Sequence, residues 1–398
     1  MTIDQVVVVG VSAAGLTAAE TLRREGYAGR LVLVDSDTRP PYDRPPLSKQ
    51  LLRGEWAEEK LTLRPPAALE GLDAEWRLGV RAEQLDLVSR EVELSDGSRA
   101  PFDGLVVATG VRPRTLPFAA GRQGVHVLRS VEDALALRLG MVPGAEVVIV
   151  GAGFLGTEAA AVAAGLGCRV TVIDPLDLPL ERQLGPRIGK RVAQLHRDHD
   201  VQLLCGNGVT GVREIGGRVC GVVLNDGAEV AADVLLVAIG AEPVTDWLKD
   251  SGLVIENGVH CDEFCQAAPG VVAAGDVASW QHPTLGRLRL EHRMNATEQG
   301  MAAARTLLGQ RTPFSPVPYF WSDQYDVRIQ VYGRPTAADF TAVEGSLDDG
   351  PFAAVQRSVS GRITAVAGWN MPRQLRGLRQ ELVNQQAVQC SADRTDSK

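Results

Sequence analysis

The chain has 398 residues, with 41 Lys and Arg against 49 Asp and Glu and a formal net charge of -8. An acidic balance excludes a protein that lives on nucleic acid, where basic charge must neutralise phosphates. No apolar run approaches the roughly 18 residues of a membrane span, and the length implies two or three domains rather than one core.

Residues 6–9 are consecutive valines that run into Gly10-Val11-Ser12-Ala13-Ala14-Gly15. Asp4 precedes them and no basic segment does, so the stretch reads as a buried strand rather than a secretory leader, and cytoplasmic residence is expected. Strand, glycine turn and alanine-rich helix lead to a second strand, Leu31 to Val34, closed by Asp35, which makes one βαβ unit. Gly10 permits the tight turn, the small residue at Ser12 lets backbone approach a pyrophosphate, and Gly15 packs helix on strand. Ser12 stands where the fingerprint prefers Gly. Asp35 is placed to reach ribose hydroxyls, with Asp37 close enough to leave the register open by a residue or two.

A hairpin is expected from Glu91 to Leu94 and Leu105 to Ala108 around Ser95-Asp96-Gly97, ending at Ala108-Thr109-Gly110. From Glu146 the same pattern returns: an apolar strand, Gly151-Ala152-Gly153-Phe154-Leu155-Gly156, an alanine-rich helix, and Val170 to Ile173 closed by Asp174. This copy fits the dinucleotide fingerprint fully, and helix N-terminal amides would face the phosphates. Asp174 should bind the 2′-hydroxyl of NADH and repel the 2′-phosphate of NADPH. The following turn carries Asp177 and no arginine, so NADH is preferred. Val234 to Ile239 closes on Gly240, echoing Ala108-Thr109-Gly110, so the repeat covers whole domains. Two dinucleotides held side by side suggest hydride transfer between them.

Gly270 to Asp276 reads as a strand feeding a helix, Ala296 to Leu308, and returns to the first unit, which makes the second unit an insertion. From Thr312 prolines, an aromatic cluster and alternating strands indicate a small α+β domain. The division expected is 1–110 with 241–312, then 111–240, then 313–386, with 387–398 a disordered tail. Six scattered cysteines form no CxxC pair and match no zinc or dithiol spacing, so no metal site is expected.

Pro40-Pro41-Tyr42-Asp43-Arg44-Pro45-Pro46-Leu47-Ser48-Lys49 resembles the FAD-dependent ferredoxin reductases of the putidaredoxin reductase family, which serve bacterial cytochrome P450s and Rieske-type oxygenases. Further matches are Ala108 to Arg114, Leu128 to Ala134, Gly275-Asp276-Val277, Asn295-Ala296-x-x-Gln299 and Phe320-Trp321-Ser322-Asp323-Gln324-Tyr325. The resemblance implies an α/β fold of two Rossmann-like dinucleotide-binding domains, glutathione-reductase-like, with the small α+β domain at the end. It implies non-covalent FAD at the Gly10 turn, NADH at the Gly151 turn, and a [2Fe-2S] ferredoxin as acceptor. Where related disulfide reductases carry redox cysteines, this chain has Pro45 to Lys49, so no thiol relay is expected.

By the same resemblance Lys49 lies beside the flavin N5 edge, and Glu158 is the nicotinamide-side carboxylate able to pair with it. Asp276 would hold the FAD ribityl chain beside Gly275, while Ala14, Ala82, Arg44 and Arg129 would contact FAD phosphates or adenosine. Pro45 and Ala108-Thr109-Gly110 flank the same cofactor, Arg182 the NADH adenosine, and Phe320 with Trp321 would pack on the isoalloxazine. From the residues alone, bland readings stand beside these: a solvated surface lysine at Lys49, a helix first-turn acid at Glu158, a helix cap at Asp276, surface ion pairs at Arg44 and Arg129, and plain core aromatics at Phe320 and Trp321. Many relatives read Glu-x-Trp where this chain has Glu291-His292-Arg293, so flavin contact at Arg293 is expected from backbone only, and His292 is a site candidate or a structural histidine.

Arginines 287, 289, 293, 311, 328 and 334 gather around the expected flavin edge, followed by 357, 362, 373, 376 and 379. A basic face including Arg373 and Arg376 would steer an acidic ferredoxin; a solvated charged surface is the other reading. The implied activity is NADH:ferredoxin oxidoreduction. The alternatives are reduction of rubredoxin, monodehydroascorbate or oxygen, or an NADH sensor of the apoptosis-inducing-factor kind.

Overall fold

The structure, a computed structural model, describes residues 3–336 and 338–395, with side chains as far as 385. The valine strand Gln5–Val9 lies at the heart of a six-stranded sheet, with Arg30–Asp35 parallel on one side and Gly104–Val107 parallel on the other. Val7 faces Val32 and Leu105 in register, and all three are fully buried. Parallel strands covered on both faces have no polar side to show, which explains the unbroken apolar runs. Val271–Ala273 adds parallel to Gly104–Val107, so the chain does return to the first sheet after the second unit. The helices Ala13–Arg24 and Arg293–Leu307 pack together over one face.

The second unit repeats this plan. Glu146–Val150 pairs in parallel with Arg169–Asp174 and Val234–Val237 in a five-stranded sheet that also holds Gln202–Cys205 and Val125–His126. The chain passes between the two units along an antiparallel ribbon of Val111–Pro113 with Ala241–Pro243. The last body is a five-stranded antiparallel sheet running from Tyr319–Gln324 to Ile363–Trp369. The helix Pro372–Thr395 seals one face through Leu375 and Leu382 against Val355, Ile363 and Val366.

Three expectations are corrected. Glu91–Leu94 turns at Ser95-Asp96-Gly97 but pairs with Arg99–Pro101, while Gly104–Val107 belongs to the large parallel sheet. Leu105, Val106 and Val107 are all buried, and a strand with two apolar faces cannot serve a half-exposed hairpin. The segment after Gly275 forms a short turn and a hairpin, Ala278–His282 with Gly286–Leu288, before the helix begins at Arg293. Finally, the last helix runs to Thr395, so 387–395 is helical instead of a disordered tail. Its Gln, Ala and Arg content suits a helix even without an apolar stripe, and 396–398 lie outside the described residues.

Candidate functional site

Each glycine turn is shaped by a close approach that only glycine permits. Gly10 has φ +91° and a Cβ there would sit 2.3 Å from the Ala108 carbonyl oxygen; Gly151 has φ +109° and would meet the Ala238 oxygen at 2.3 Å. At Gly15 and Gly156 a Cβ would stand 1.9 Å from the carbonyl oxygens of Gly10 and Gly151. These two pack helix against strand and do not line the cleft, as the fingerprint implies. The helices that follow start at Ala13 and Phe154, and neither Ser12 nor Gly153 caps them with a side chain. Their first amides are therefore free to meet an anion.

The strand-end acids hold these turns, a role the sequence did not show. Asp35 Oδ2 accepts from the Val11 amide at 2.5 Å and Oδ1 from the Asp37 amide at 2.9 Å. Asp174 repeats the arrangement with the Ala152 amide at 2.7 Å and the Leu176 amide at 2.8 Å. Each carboxylate pins the turn between first strand and helix to the end of the second strand. Asp37 is spent differently, accepting from Arg39 N and the Tyr42 hydroxyl.

Both turns open into one cleft of about 1760 Å³, well beyond the ~300–1,000 Å³ of an ordinary small-ligand site. Its walls include Gly10, Ser12, Ala14, Asp35, Arg44, Pro45, Lys49, Ala82, Ala108, Thr109, Gly110, Arg129, Gly275, Asp276, Arg293 and Trp321 from the expected flavin side. Gly151, Gly153, Phe154, Leu155, Glu158, Asp174, Arg182 and Gly240 come from the other. Apart from the two packing glycines, every expected site residue reaches this cleft. No cysteine among the described residues lines it, nor does any group of three His, Cys, Asp or Glu among them form a metal-binding cluster. The most buried thiols, Cys261 and Cys265, lie in the first domain's core, where burial pushes Cys261 up to about 12.

Positive charge gathers next to the first turn. Arg44 donates from Nη1 to Ser12 Oγ at 2.5 Å, and its buried Nε has no partner. Arg129, held below its ordinary value by burial and then by the charge of Arg44, meets one carboxylate oxygen of Asp276 at 3.3 Å. Two guanidiniums against one carboxylate, beside uncapped helix amides, leave a local excess of positive charge that suits the pyrophosphate of a dinucleotide.

Lys49 and Glu158 meet deep between the two turns. Lys49 sits where the turn Pro45–Ser48, stiffened by two prolines, passes into the helix Gln50–Arg53. Glu158 is on the second helix beyond its first turn, 5% exposed, and its Oε2 stands 2.5 Å from Lys49 Nζ. Ser48 Oγ donates to the same oxygen at 2.7 Å and Ser322 Oγ donates to Oε1 at 2.8 Å. The pair is thus buried and fully hydrogen-bonded, unlike a surface lysine or a helix-end acid.

Phe320 packs edge-on against Phe154 at 4.9 Å and beside His292 at 4.9 Å, bringing the third domain to the cleft wall. His292 Nδ1 is buried without a partner, and burial pulls the imidazole down to about 4. Arg293 turns its guanidinium onto Asp43 and the Thr297 hydroxyl, so the position that is often Trp carries an ion pair instead.

The arginines expected around the flavin edge are mostly engaged. Arg289 pairs with Glu291, Arg311 with Asp262 and Arg328 with Asp323, while Arg287 and Arg334 donate to backbone carbonyls. Arg373, Arg376 and Arg379, at the start of the last helix, are exposed and make no ion pair among the described residues. Arg379 lies over the Tyr332 ring at 5.6 Å. Tyr332 stacks on Tyr319 at 4.5 Å, and Tyr319 on Trp321 at 5.8 Å, so an aromatic ladder joins this patch to the cleft wall.

Residues 4–300 match the pyridine nucleotide-disulphide oxidoreductase family and residues 319–397 the reductase C-terminal domain. Rhodocoxin reductase of Rhodococcus erythropolis is 35% identical over 371 residues, 92% of this chain and 87% of the relative. The ferredoxin–NAD(+) reductase component of the anthranilate 1,2-dioxygenase system of Burkholderia cepacia is 36% identical over 379 residues, 94% and 93% of the two chains. Among solved structures, the reductase in the covalent putidaredoxin reductase–putidaredoxin complex superposes with a TM-score of 0.91 at 33% identity, covering 96% of this chain and 93% of that one. The chain belongs to the pyridine nucleotide-disulphide oxidoreductase family, among the ferredoxin–NAD(+) reductases that end in a reductase C-terminal domain.

Proposed function

We propose that the chain passes electrons from NADH through FAD to a [2Fe-2S] ferredoxin that serves a cytochrome P450 or Rieske-type oxygenase. The single observation that carries this reading is the buried Lys49–Glu158 pair, set between two dinucleotide turns in a cleft whose described walls hold no thiol. When bound, FAD supplies hydride acceptance at N5 and one-electron release. Everything else is positioning and charge.

Residues 1–110 and 241–312 would hold FAD, with the Gly10 turn, Arg44 and Arg129 suited to its pyrophosphate and Asp276 to its ribityl chain. Residues 111–240 hold NADH at the Gly151 turn, with Asp174 on the ribose and Arg182 toward the adenosine. Lys49 would place a cation beside the ring of bound FAD, and Glu158 would keep that cation oriented from the nicotinamide side. Asp276 and Arg129 neutralise each other beside the cofactor. Because no cysteine among the described residues lines the cleft, bound FAD would pass electrons on without a thiol relay, on the side where the cleft meets the third domain. Its exposed Arg373 and Arg376, close in sequence to the aromatic ladder's Arg379, form the face for an acidic ferredoxin.

Anaerobic NADH should bleach the flavin, and cytochrome c reduction should depend on added [2Fe-2S] ferredoxin. A long-lived NADH–flavin complex with slow turnover and ligand-dependent assembly would replace this reading with a sensor. Rapid oxygen uptake without a protein acceptor would replace it with an oxidase.

A further inference from the structure

Glu158 Oε2 is accounted for by Lys49 and Ser48, but Oε1 has a different partner, from the third domain. Ser322, fully buried, donates to it at 2.8 Å. The hydroxyl has little choice in this. Gln324, two residues on and on the same face of the strand Tyr319–Gln324, donates from Nε2 to Ser322 Oγ at 3.1 Å and to Thr157 Oγ1 at 3.0 Å. With its oxygen accepting from Gln324, the Ser322 proton points to Glu158.

Gln324 is fixed in turn. Its Oε1 faces His196 Nε2 at 2.9 Å, so that nitrogen carries the imidazole proton, and His196 Nδ1 accepts from the Tyr325 hydroxyl at 3.1 Å. Tyr325 sits at φ +55° in the turn after the strand, and its ring stacks on His199 at 3.6 Å. A bulky residue in the left-handed region is uncommon and is held there by its surroundings. The hydrogen-bond direction therefore runs one way, from Tyr325 through His196, Gln324 and Ser322 to Glu158.

We propose that Ser322 and Gln324 are positioning residues for hydride transfer, which keep the Glu158 carboxylate aimed at Lys49, so that the third domain completes the reactive pair. This rests on the reading above that Lys49 and Glu158 stand where the hydride passes. The charged group facing Glu158 is Lys49 from the proline turn. The second strand-bearing domain presents neutral His196, and from the third domain Asp323, on the opposite face of its strand, is paired with Arg328.

Removing the Ser322 hydroxyl takes away the donor that fixes Glu158 Oε1 and leaves the carboxylate free to turn from Lys49. In the FAD-loaded protein Ser322→Ala should slow anaerobic flavin reduction by NADH about tenfold, the scale of one hydrogen bond to a charged group. The loss should fall on the limiting rate with the KM for NADH little changed, and the absorbance spectrum of the bound flavin without NADH should shift as the carboxylate and its cation are reoriented. Ser322→Thr should restore both. In a Glu158→Gln background Ser322→Ala should have no further effect.

A parent-like limiting rate and flavin spectrum in Ser322→Ala overturn the proposal, as does an equal loss in the Glu158→Gln background. If Ser322→Ala does not retain FAD, Gln324→Met, which leaves the serine in place, must show the same loss of limiting rate and the same spectral change or the proposal falls. If Glu158→Gln alone leaves flavin reduction unchanged, the functional reading of the pair fails instead.

Discussion

Lys49 Nζ and Glu158 Oε2 stand 2.5 Å apart, and the two residues are 9% and 5% exposed. A charge pair this deep is expensive: both ions lose hydration, and their attraction offsets it only with good geometry and further hydrogen bonds. Lys49→Met leaves the Glu158 carboxylate without its cation and should cost about 3–5 kcal/mol by chemical denaturation. Adding Glu158→Gln removes the uncompensated charge and should recover most of that loss. Flavin reduction by NADH should stay at least tenfold slow in the double variant. Recovery of rate along with stability would make the pair structural only.

The two glycine turns assign the two nucleotides differently, and Gly15 and Gly156 separate them. An added methyl at either place drives into a backbone carbonyl at 1.9 Å, so the helix must move off its strand. Gly15→Ala should yield protein purified largely without flavin. Gly156→Ala should keep its yellow colour while the KM for NADH rises tenfold or more. Flavin absorbance per chain and steady-state kinetics check both, and a colourless Gly156→Ala would reverse the assignment.

The βαβ units were legible because the fingerprint fixes its glycines by spacing. Only Gly15 and Gly156 are forced by local backbone, the carbonyls of Gly10 and Gly151, while Gly10 and Gly151 answer to the distant carbonyls of Ala108 and Ala238. The role of Asp35 and Asp174 was half legible. Their place at a strand end could be read, but their bonds to Val11 and Ala152 exist only once two strands lie side by side. Lys49 and Glu158 are 109 positions apart, so no local spacing pairs them, and resemblance alone suggested it. Ser322 and Gln324 belong to a recognisable motif that shows no role for them, since their partners come from two other segments, the helix of Thr157 and Glu158 and the helix of His196. The misplaced hairpin is a different failure: Leu105-Val106-Val107 shows no alternation, and that signal was there to be read.

His196 supplies a pH prediction. Burial holds it down at about 4, against about 6.5 for an unfolded histidine. Above 6.5 both states are neutral and pH has no effect. As pH falls from 6.5 toward 4 the unfolded chain takes up the proton first, so stability is lost across that window and nothing more is lost below it. The full loss is on the order of 3 kcal/mol. His196→Gln cannot protonate and keeps an N–H donor, so its thermal midpoint should fall less than the parent's between pH 7 and 5. Equal slopes would mean that His196 is not buried as found.

Arg373 and Arg376 test where the ferredoxin docks. The chain as a whole carries -8, so an acidic partner is repelled at long range and must be drawn in by a local patch. Most of the arginines near the cleft already face acids or carbonyls and add little field of their own. Arg373 and Arg376, at the start of the last helix, make no ion pair among the described residues, and Arg379 beside them covers the outer ring of the aromatic ladder. Reversing Arg373→Glu and Arg376→Glu together should raise the KM for ferredoxin about tenfold or more and weaken its dependence on salt, because exposed interface charges act mainly on the association rate. Ferricyanide, a small acceptor that needs no docking face, should be reduced as before. An unchanged ferredoxin KM would move the docking face elsewhere, and a matching loss with ferricyanide would mean that the reversal had disturbed the flavin site.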